Sequence, residues 1–346
     1  MRRVVGTGLL SLGMLGCGVD ASNDEGSGPL REDGPIRIVR EIAVAYEAEG
    51  EDFLYRPTDV VLSGDTIVVV DNGNDRLVLL DLELNVLGSI GRTGAGPGEF
   101  AAPVSVRVTP SEIIVAEIDN GRFSVFDRTG AFVRTIGDMA LATEFALDSR
   151  GAMYRPAPSM THHAYRVTEE GETLFAPRRD TVEEGPEWDA IMMGARESRV
   201  AVTAGDTMHV FNDTDGTLSK YAPDGTRLVT RELPGNLLDS LKAGRAALVN
   251  SLSRLGVNEY AATLIHSFAT TERNEIIIAL NAGNTVGLVV DPVTYRARRL
   301  TVPEMNANWA PLKTARAMAL RDDRLYIVSE SQLYLYEVDR SEGGMP

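Results

Sequence analysis

Cysteine and histidine are scarce in this sequence of 346 residues, which contains one cysteine and four histidines. A single cysteine excludes an intrachain disulfide and a thiol-rich metal site. Lysines and arginines number 34 against 50 aspartates and glutamates, so that the formal net charge is -16. Such an acidic chain argues against nucleic acid or an anionic lipid surface as a partner. Long apolar runs are also lacking after the first residues, and no later segment is predicted to cross a membrane.

The cysteine, Cys17, follows a segment that is typical of an export signal. Two arginines near the N-terminus precede the apolar stretch Val4–Leu15, which is too short to span a bilayer as a stable anchor. We therefore predict a signal peptide over residues 1–16. Residues 17–35 are rich in Gly, Ser, Asp, Asn and Glu, a composition that predicts a flexible tether.

The residues Met14-Leu15-Gly16-Cys17 resemble the bacterial lipobox, in which a small residue precedes the cysteine that is diacylated and becomes the new N-terminus. That family prefers Leu three places before the cysteine and Ala or Ser two places before it, whereas Met14 and Leu15 stand here. The resemblance implies lipidation of Cys17 and anchoring to a membrane, on the periplasmic side or at the cell surface. The alternative is an ordinary secretory signal that is cut nearby and releases the protein.

An internal repeat carries the prediction of the fold. Two segments align without a gap at a spacing of 46 residues. The matched positions include these pairs: Pro57 and Pro103, Val60 and Val106, Asp71 and Glu117, Arg76 and Arg122, Asp81 and Asp127, Ile90 and Ile136. The first unit has four short aliphatic runs, 58–62, 66–71, 76–81 and 86–90, which Gly, Asn and Asp turns separate. A repeated antiparallel unit of four strands is typical of a propeller blade.

Looser units follow as far as the C-terminus, and we predict an all-β fold, a six-bladed β-propeller of four-stranded antiparallel blades, over residues 36–346. The sixth unit contains three runs, 317–320, 324–328 and 332–338, where four are expected. Residues 36–46 have strand composition but belong to no unit of their own. We expect them to supply the outer strand of the last blade, because closure of the ring removes an exposed sheet edge.

The link between the first two units, Gly91–Pro103, resembles the blade connector of NHL-type propellers, in which Gly-x-Gly-x-Gly-x-Phe leads to Pro and the next inner strand. The turn Asp127-Arg-Thr-Gly130 resembles their Asp-x-x-Gly turn. The resemblance covers residues 53–137 and implies that Phe100 packs between blades. A phosphate-binding loop is the alternative for the glycines, but no Gly-Lys-Ser/Thr sequence accompanies them.

One stretch departs from the strand pattern. Leucines recur at roughly helical spacing over residues 236–255, between Pro234 and Gly256. This pattern predicts one helix inserted between the fourth and fifth blades. The helix would pack against the rim of the propeller or, alternatively, act as a lid over one face.

Carboxylates and arginines recur near the ends of the predicted second strands. Asp71, Glu117 and Asp119 would lie near a propeller face, where propellers of the gluconolactonase type gather carboxylates around calcium. Their Glu and Asn-Asp ligand pattern is not found in this sequence, and Asp in a turn usually stabilises the turn itself. Arg76 and Arg122 each follow a polar turn. The equivalent arginine of NHL-type propellers packs along the blade, and contact with a ligand is the alternative.

His162 and His163 form the one histidine pair. Adjacent residues of a strand point to opposite faces, so that both would bind one metal ion only if they lay on a loop. No His-x-Glu or His-Glu-x-x-His motif accompanies them, and no metal site is predicted.

No catalytic set of familiar spacing, including Gly-x-Ser-x-Gly, is present. We therefore expect a cell-envelope lipoprotein that acts as a binding or scaffold propeller without a cofactor, its ligand an envelope protein or a small molecule. The alternative is a cation-dependent hydrolase or lyase of the gluconolactonase type, with calcium in the central channel. The candidate ligand-binding residues are Asp71, Arg76, Glu117, Asp119, Arg122, His162 and His163.

Overall fold

The computed structural model describes residues 28–45, 54–137, 144–157, 161–168, 170–177, 198–254, 263–305, 309–330 and 332–341. Strands make up most of this part of the chain, and its few helices are short with one exception. The strands form antiparallel sheets that follow one another around a circle, in a propeller-like arrangement. The predicted signal peptide and Cys17 lie outside the described residues.

Three strands precede the repeats: β1 (Gly28–Pro29), β2 (Arg31–Glu32) and β3 (Ile36–Ala45). Sheet A then contains β4 (Pro57–Ser63), β5 (Thr66–Asp71), β6 (Arg76–Leu80) and β7 (Val86–Ile90). Sheet B contains β8 (Pro103–Val108), β9 (Glu112–Glu117), β10 (Arg122–Asp127) and β11 (Phe132–Ile136). Strands adjacent in sequence are adjacent in both sheets. The strands of sheet A agree to within one residue with the four runs that the sequence predicts.

Sheets C and D follow the same order. Sheet C contains β12 (Ala146–Leu147), β13 (Met153–Pro156), β14 (His162–Thr168) and β15 (Gly171–Pro177). Sheet D contains β16 (Ser198–Thr203), β17 (Thr207–Asn212), β18 (Thr217–Tyr221) and β19 (Arg227–Glu232), and β1 pairs in parallel with its outer strand β19.

The remaining strands form one nine-stranded sheet, which consists of two antiparallel halves of four strands and of β2, which pairs with β23. Half E contains β20 (Ile265–Thr270), β21 (Ile276–Ala282), β22 (Thr285–Val290) and β23 (Arg296–Thr301). Half F contains β24 (Ala315–Arg321), β25 (Arg324–Ser329), β26 (Gln332–Asp339) and β3, which pairs antiparallel with β26. The first residues of β3 also pair in parallel with the end of β23. Five hydrogen-bonded sheets are therefore described, where six separate blades are predicted, because β3 joins E to F.

The segment from Gly28 to Pro35, which its composition predicts to be part of a flexible tether, lies against the outer strands of the propeller. It pairs through β1 with β19 and through β2 with β23. Leu30 is buried, and the carboxylates of Glu32 and Asp33 form ion pairs with Arg299 and Arg296. The polar composition of this segment did not predict the attachment. The attachment depends on one buried leucine and on backbone pairing at sheet edges, and neither is visible in composition.

Six hydrophobic clusters occur in the described part of the chain, and each fills the space between two neighbouring sheets or halves. The alternation of side chains in β5 shows why both sides of a sheet must be covered. Val68 and Val70 pack toward sheet B, whereas Ile67 and Val69 pack toward half F. Contact between the last half and the first sheet closes the circle.

The connector between sheets A and B packs as the NHL resemblance implies. Phe100 is fully buried between the two sheets, with its ring centroid 5.3 Å from that of Phe126. Gly91 has a φ of 89°, and a Cβ atom at this position would collide with the Phe100 ring. The glycine thus permits both the backbone conformation and the close approach of the aromatic ring.

Helix α1 (Gly235–Arg254) lies one residue from the predicted bounds. Its buried residues Leu237 and Leu241 join the cluster between sheet D and half E, so that the first half of the helix packs against the propeller. A second helix, α2 (Ala310–Lys313), and a 3-10 turn, Asn72–Asn74, are each a single turn. No helix among the described residues combines the length and the apolar character needed to cross a membrane.

Two isoleucines of β3 that differ in exposure offer a test of its role in packing. Ile38 is fully buried between E and F, whereas Ile42 of the same strand is 42% exposed. We expect Ile38→Ala to lower the free energy of unfolding by about 3 kcal/mol, since the truncation leaves a cavity in the core. Ile42→Ala should cost less than about 1 kcal/mol. Chemical denaturation measures both, and equal costs would contradict the packing of β3.

Candidate functional site

The carboxylate of Asp71 in sheet A is buried, and both of its oxygens accept hydrogen bonds from neighbouring residues. Its carboxylate accepts hydrogen bonds from Arg76 Nε at 2.8 Å, from Asn74 Nδ2 at 2.9 Å and from the backbone N–H of Tyr55 at 2.7 Å. The carboxylate therefore ties the second and third strands of sheet A to the segment that enters the sheet. Buried charges are expected to be paired in this way.

Glu117 of sheet B repeats the arrangement. Its carboxylate accepts hydrogen bonds from Arg122 Nε at 3.1 Å, from Asn120 Nδ2 at 2.6 Å and from the Ala101 N–H at 3.2 Å. The Nη groups of Arg122 donate to carbonyl groups of the connector 95–99. Four of the candidate residues thus make structural contacts, and their role in ligand binding stays a prediction. Asp119 is exposed beside them.

The histidine pair has divergent surroundings, as alternation along β14 predicts. His163 is buried, with Nδ1 2.8 Å from Ser198 Oγ and its ring against Tyr221. His162 is less buried, and its Nδ1 lies 2.9 Å from Thr161 Oγ1. The two imidazoles therefore serve different contacts.

A different set of charged residues surrounds the axis of the molecule. The first strands of the sheets contact one another around the circle, and they enclose a cavity of about 390 Å³ at the end where these strands begin. Each sheet or half, or the residues that lead directly into it, contributes at least one polar side chain to its lining. The charged residues and the histidine among them, in chain order, are Asp59, Arg107, Glu144, Arg199, His266 and Arg316. We call this cavity the channel mouth.

Asp59 and Arg107 form the first ion pair of the channel mouth. Arg107 Nη1 lies 2.9 Å from Asp59 Oδ2, which also accepts hydrogen bonds from Ser105 Oγ and the Val106 N–H, both at 3.0 Å. Asp59 Oδ1 accepts one from the Val60 N–H at 2.9 Å. Both oxygens are therefore engaged within sheets A and B.

Glu144 and Arg199 form the second pair, and this pair is incompletely satisfied. Arg199 Nη1 donates to Glu144 Oε1, and its Nη2 donates to the Ile265 carbonyl at 3.1 Å. Arg199 Nε and Glu144 Oε2 are buried and have no hydrogen-bond partner among the described residues. Burial lowers the pKa of the Arg199 guanidinium, although the nearby charge of Asp213 opposes this shift.

Arg316 and His266 complete the charged lining. Both side chains are exposed, and neither has a hydrogen bond or an ion pair with another described residue. The channel walls lower the pKa of His266, first by partial desolvation and second through the positive charge of Arg199. With His266 neutral, three arginines face two carboxylates in the channel mouth.

This lining does not fit a calcium ion, which requires six to eight oxygen ligands, several of them carboxylates. Both carboxylates of the channel mouth are paired with arginines, and a third arginine adds repulsion toward a cation. Across the described residues, moreover, no group of three or more His, Cys, Asp or Glu side chains is placed to hold a metal.

A wider cavity of about 1440 Å³ opens at the opposite end of the first strands, between sheets B, C and D. Arg107, Phe268 and Ala269 line both cavities. The channel mouth therefore adjoins a larger space on the other face.

Sequence reasoning missed the charged residues of the channel mouth. Their signal is a single charge or histidine inside an otherwise apolar first strand, as at Arg107 in Val-Arg-Val or Arg199 in Ser-Arg-Val-Ala-Val. The signal is weak, since a strand with one face in water has the same pattern. The repeated acids and arginines of sheets A and B hydrogen-bond to one another within each sheet.

Comparison with known proteins supports the propeller-like fold only, and no function. No family model matches the sequence, and no curated protein matches it either. A “putative exported protein” from Bacteroides fragilis is 9% identical with a TM-score of 0.56, over 90% of this chain and 99% of that one. Virginiamycin B lyase from Staphylococcus aureus is 7% identical with a TM-score of 0.51, over 81% and 94%. A gluconolactonase from Xanthomonas campestris is 13% identical with a TM-score of 0.50, over 90% and 97%.

The structural role of the Asp71–Arg76 pair can be tested against an exposed pair. We expect Arg76→Met to lower the free energy of unfolding by about 3 kcal/mol, because it leaves the buried Asp71 without its counter-charge. Arg92 pairs with Glu99 but is 80% exposed, so Arg92→Met should cost less than about 1 kcal/mol. The double variant Asp71→Asn/Arg76→Met should be more stable than Arg76→Met. Denaturation curves decide, and similar costs for the two arginines would contradict this role.

Proposed function

We propose that this chain is an exported, lipid-anchored propeller of six blades that binds a ligand in the channel mouth, without a catalytic role. The observation that carries the proposal is the channel mouth itself, where each sheet or half, or the residues that lead directly into it, presents at least one polar side chain to a single cavity. A concave site with a few convergent polar groups is the usual form of a small-molecule site.

The count of six blades rests on packing rather than on hydrogen bonds. Halves E and F each contain four antiparallel strands, and a hydrophobic cluster separates them as clusters separate the other sheets. Only residues Ile36 and Arg37 of β3 bridge them, through parallel pairing with Leu300 and Thr301. On this view β3 is the outer strand of the last blade, and the bridge is a local contact between two blades.

The lipid anchor rests on the resemblance of residues 14–17 to a lipobox. The described chain begins at Gly28, on the outer edge of sheet D. Two acyl chains on Cys17 would hold the protein at a membrane, since burial stabilises each methylene by about 0.8 kcal/mol. The signal peptide then ends at residue 16, and the tether is shorter than its composition predicts, because the attachment of β1 begins at Gly28.

The binding role is favoured over cation-dependent hydrolysis by the charge of the channel mouth. The two enzymes among the compared structures share the fold at 7% and 13% identity, which carries over no active site. An arginine-rich lining favours an anionic or neutral ligand. Envelope proteins are the other class of partner that the sequence leaves open, and the size of the cavity favours a small molecule.

Replacement of the lipidation site tests the anchor. We expect Cys17→Ser to move the protein from the membrane fraction to the soluble fraction, because the thiol that would be acylated is lost. Ser22→Ala, a nearby change, should leave the protein in the membrane fraction. Cell fractionation with immunoblotting measures the distribution, and equal distribution of both variants would contradict lipidation at this cysteine.

Thermal unfolding with calcium and with a chelator tests the binding role against the cation-dependent alternative. We expect the same Tm in both conditions to within about 1 °C, since only a metal that binds the native state raises its stability. Magnesium at equal ionic strength is the control. A rise in Tm that is specific to calcium would contradict the proposed function and favour the hydrolase.

A further inference from the structure

The channel mouth is neutral except for one charge. The Asp59–Arg107 pair and the Glu144–Arg199 pair each sum to zero, which leaves Arg316 as the unbalanced cation. Its guanidinium is exposed within the cavity and has no ion-pair partner among the described residues. Guanidinium groups bind carboxylates through two parallel hydrogen bonds, and such charge-assisted bonds are the strong ones.

Polar atoms without a partner concentrate around the same cavity. Among the described residues, seven buried side-chain atoms lack a hydrogen-bond partner, and three of them belong to residues that line the channel mouth. These are Thr58 Oγ1, Glu144 Oε2 and Arg199 Nε. Buried polar atoms normally have partners, and these three lie covered in the wall of the cavity, so that a bound molecule reaches them only when neighbouring side chains move.

The remaining lining is apolar apart from Ser105, Thr263, Ser267 and Thr314, and the space is small. Val104, Phe268, Ala269, Ala315 and Ala317 contribute to the wall. A volume of about 390 Å³ is near the lower end of the range for small-molecule sites. The ligand must therefore combine a compact apolar body with one negative charge and a hydroxyl or similar group.

We infer that the channel mouth binds a small organic acid, whose carboxylate pairs with the exposed Arg316 and whose hydroxyl group hydrogen-bonds to Glu144 or Thr58 once the side chains that cover these two groups have moved. This inference rests on the proposed binding function and specifies its ligand class. The exposed His266 lies in the same lining as a further hydrogen-bonding group. The single unbalanced charge favours a carboxylate, with one charge, over a phosphate monoester, with nearly two.

Calorimetric titration of the full mature chain with mandelate tests the inference. Mandelate carries a carboxylate, a hydroxyl group and a compact apolar ring. Two further probes separate the contributions: 1-phenyl-1,2-ethanediol keeps the ring and a hydroxyl group without the charge, and phenyl phosphate replaces the carboxylate by a phosphate. We expect mandelate to bind at least about tenfold more tightly than either, at constant ionic strength.

Matched variants locate the site. Arg316→Gln should weaken mandelate binding at least about tenfold, because it removes the pairing cation. Arg227→Gln makes the same change on the exposed outer strand β19 and should leave binding unchanged. Glu144→Gln/Arg199→Gln removes the second pair without leaving a lone charge, and it should also weaken binding. Circular dichroism melting confirms that each variant is folded before titration.

Three results would overturn the inference: no heat of binding with mandelate, equal binding by Arg316→Gln and the parent, or tighter binding of phenyl phosphate. These results are distinguishable from failure of the proposed function, which the calcium melt reports separately. Loss of mandelate binding with a Tm that calcium leaves unchanged would reject the ligand class and retain the binding propeller.

Discussion

The structure depends on closure of the circle of sheets. Each sheet has two apolar faces, and each face must be covered by a neighbouring sheet. In β5, for example, Ile67 and Val69 lie on one face, whereas Val68 and Val70 lie on the other. An open row would expose one apolar face at each end, whereas a closed circle exposes none. The cluster between half F and sheet A differs from the other five clusters only because its members lie far apart in the sequence. Its formation brings the last strands of the chain against the first repeat.

Closure also determines what the first strands can do. They meet around the axis, so that charged side chains on their inner side converge on one cavity. A charge that is buried there must be paired, because an uncompensated charge away from water is costly. Asp59 and Arg107 are paired in this way with both carboxylate oxygens engaged, whereas the exposed Arg316 has no counter-charge among the described residues. The chemistry of the site thus follows from the geometry of the ring.

The sequence predicted the parts of this fold that local pattern controls. The offset of 46 residues located the strands of sheets A and B, the leucine spacing located α1, and the connector glycines placed Phe100. Attachment of residues 28–35 was missed, because edge pairing uses backbone groups that every residue has. The charged residues of the channel mouth were missed for another reason. Their six members come from six distant segments with one informative residue each, and only the ring places them together.

The channel mouth and the attachment of residues 28–35 lie in different parts of the molecule. The described chain enters at Gly28 on the outer strand β19 and runs past β23 to β26, always at the outer edge, whereas the channel mouth lies on the axis among the first strands. Ten residues lie between Cys17 and Gly28, and a chain of eleven steps from one Cα atom to the next reaches at most about 40 Å when extended. A lipid on Cys17 would therefore hold the propeller by its rim, within about one protein diameter of the membrane. Because the attachment of residues 28–35 uses outer strands only, a molecule that enters the channel mouth displaces none of these residues.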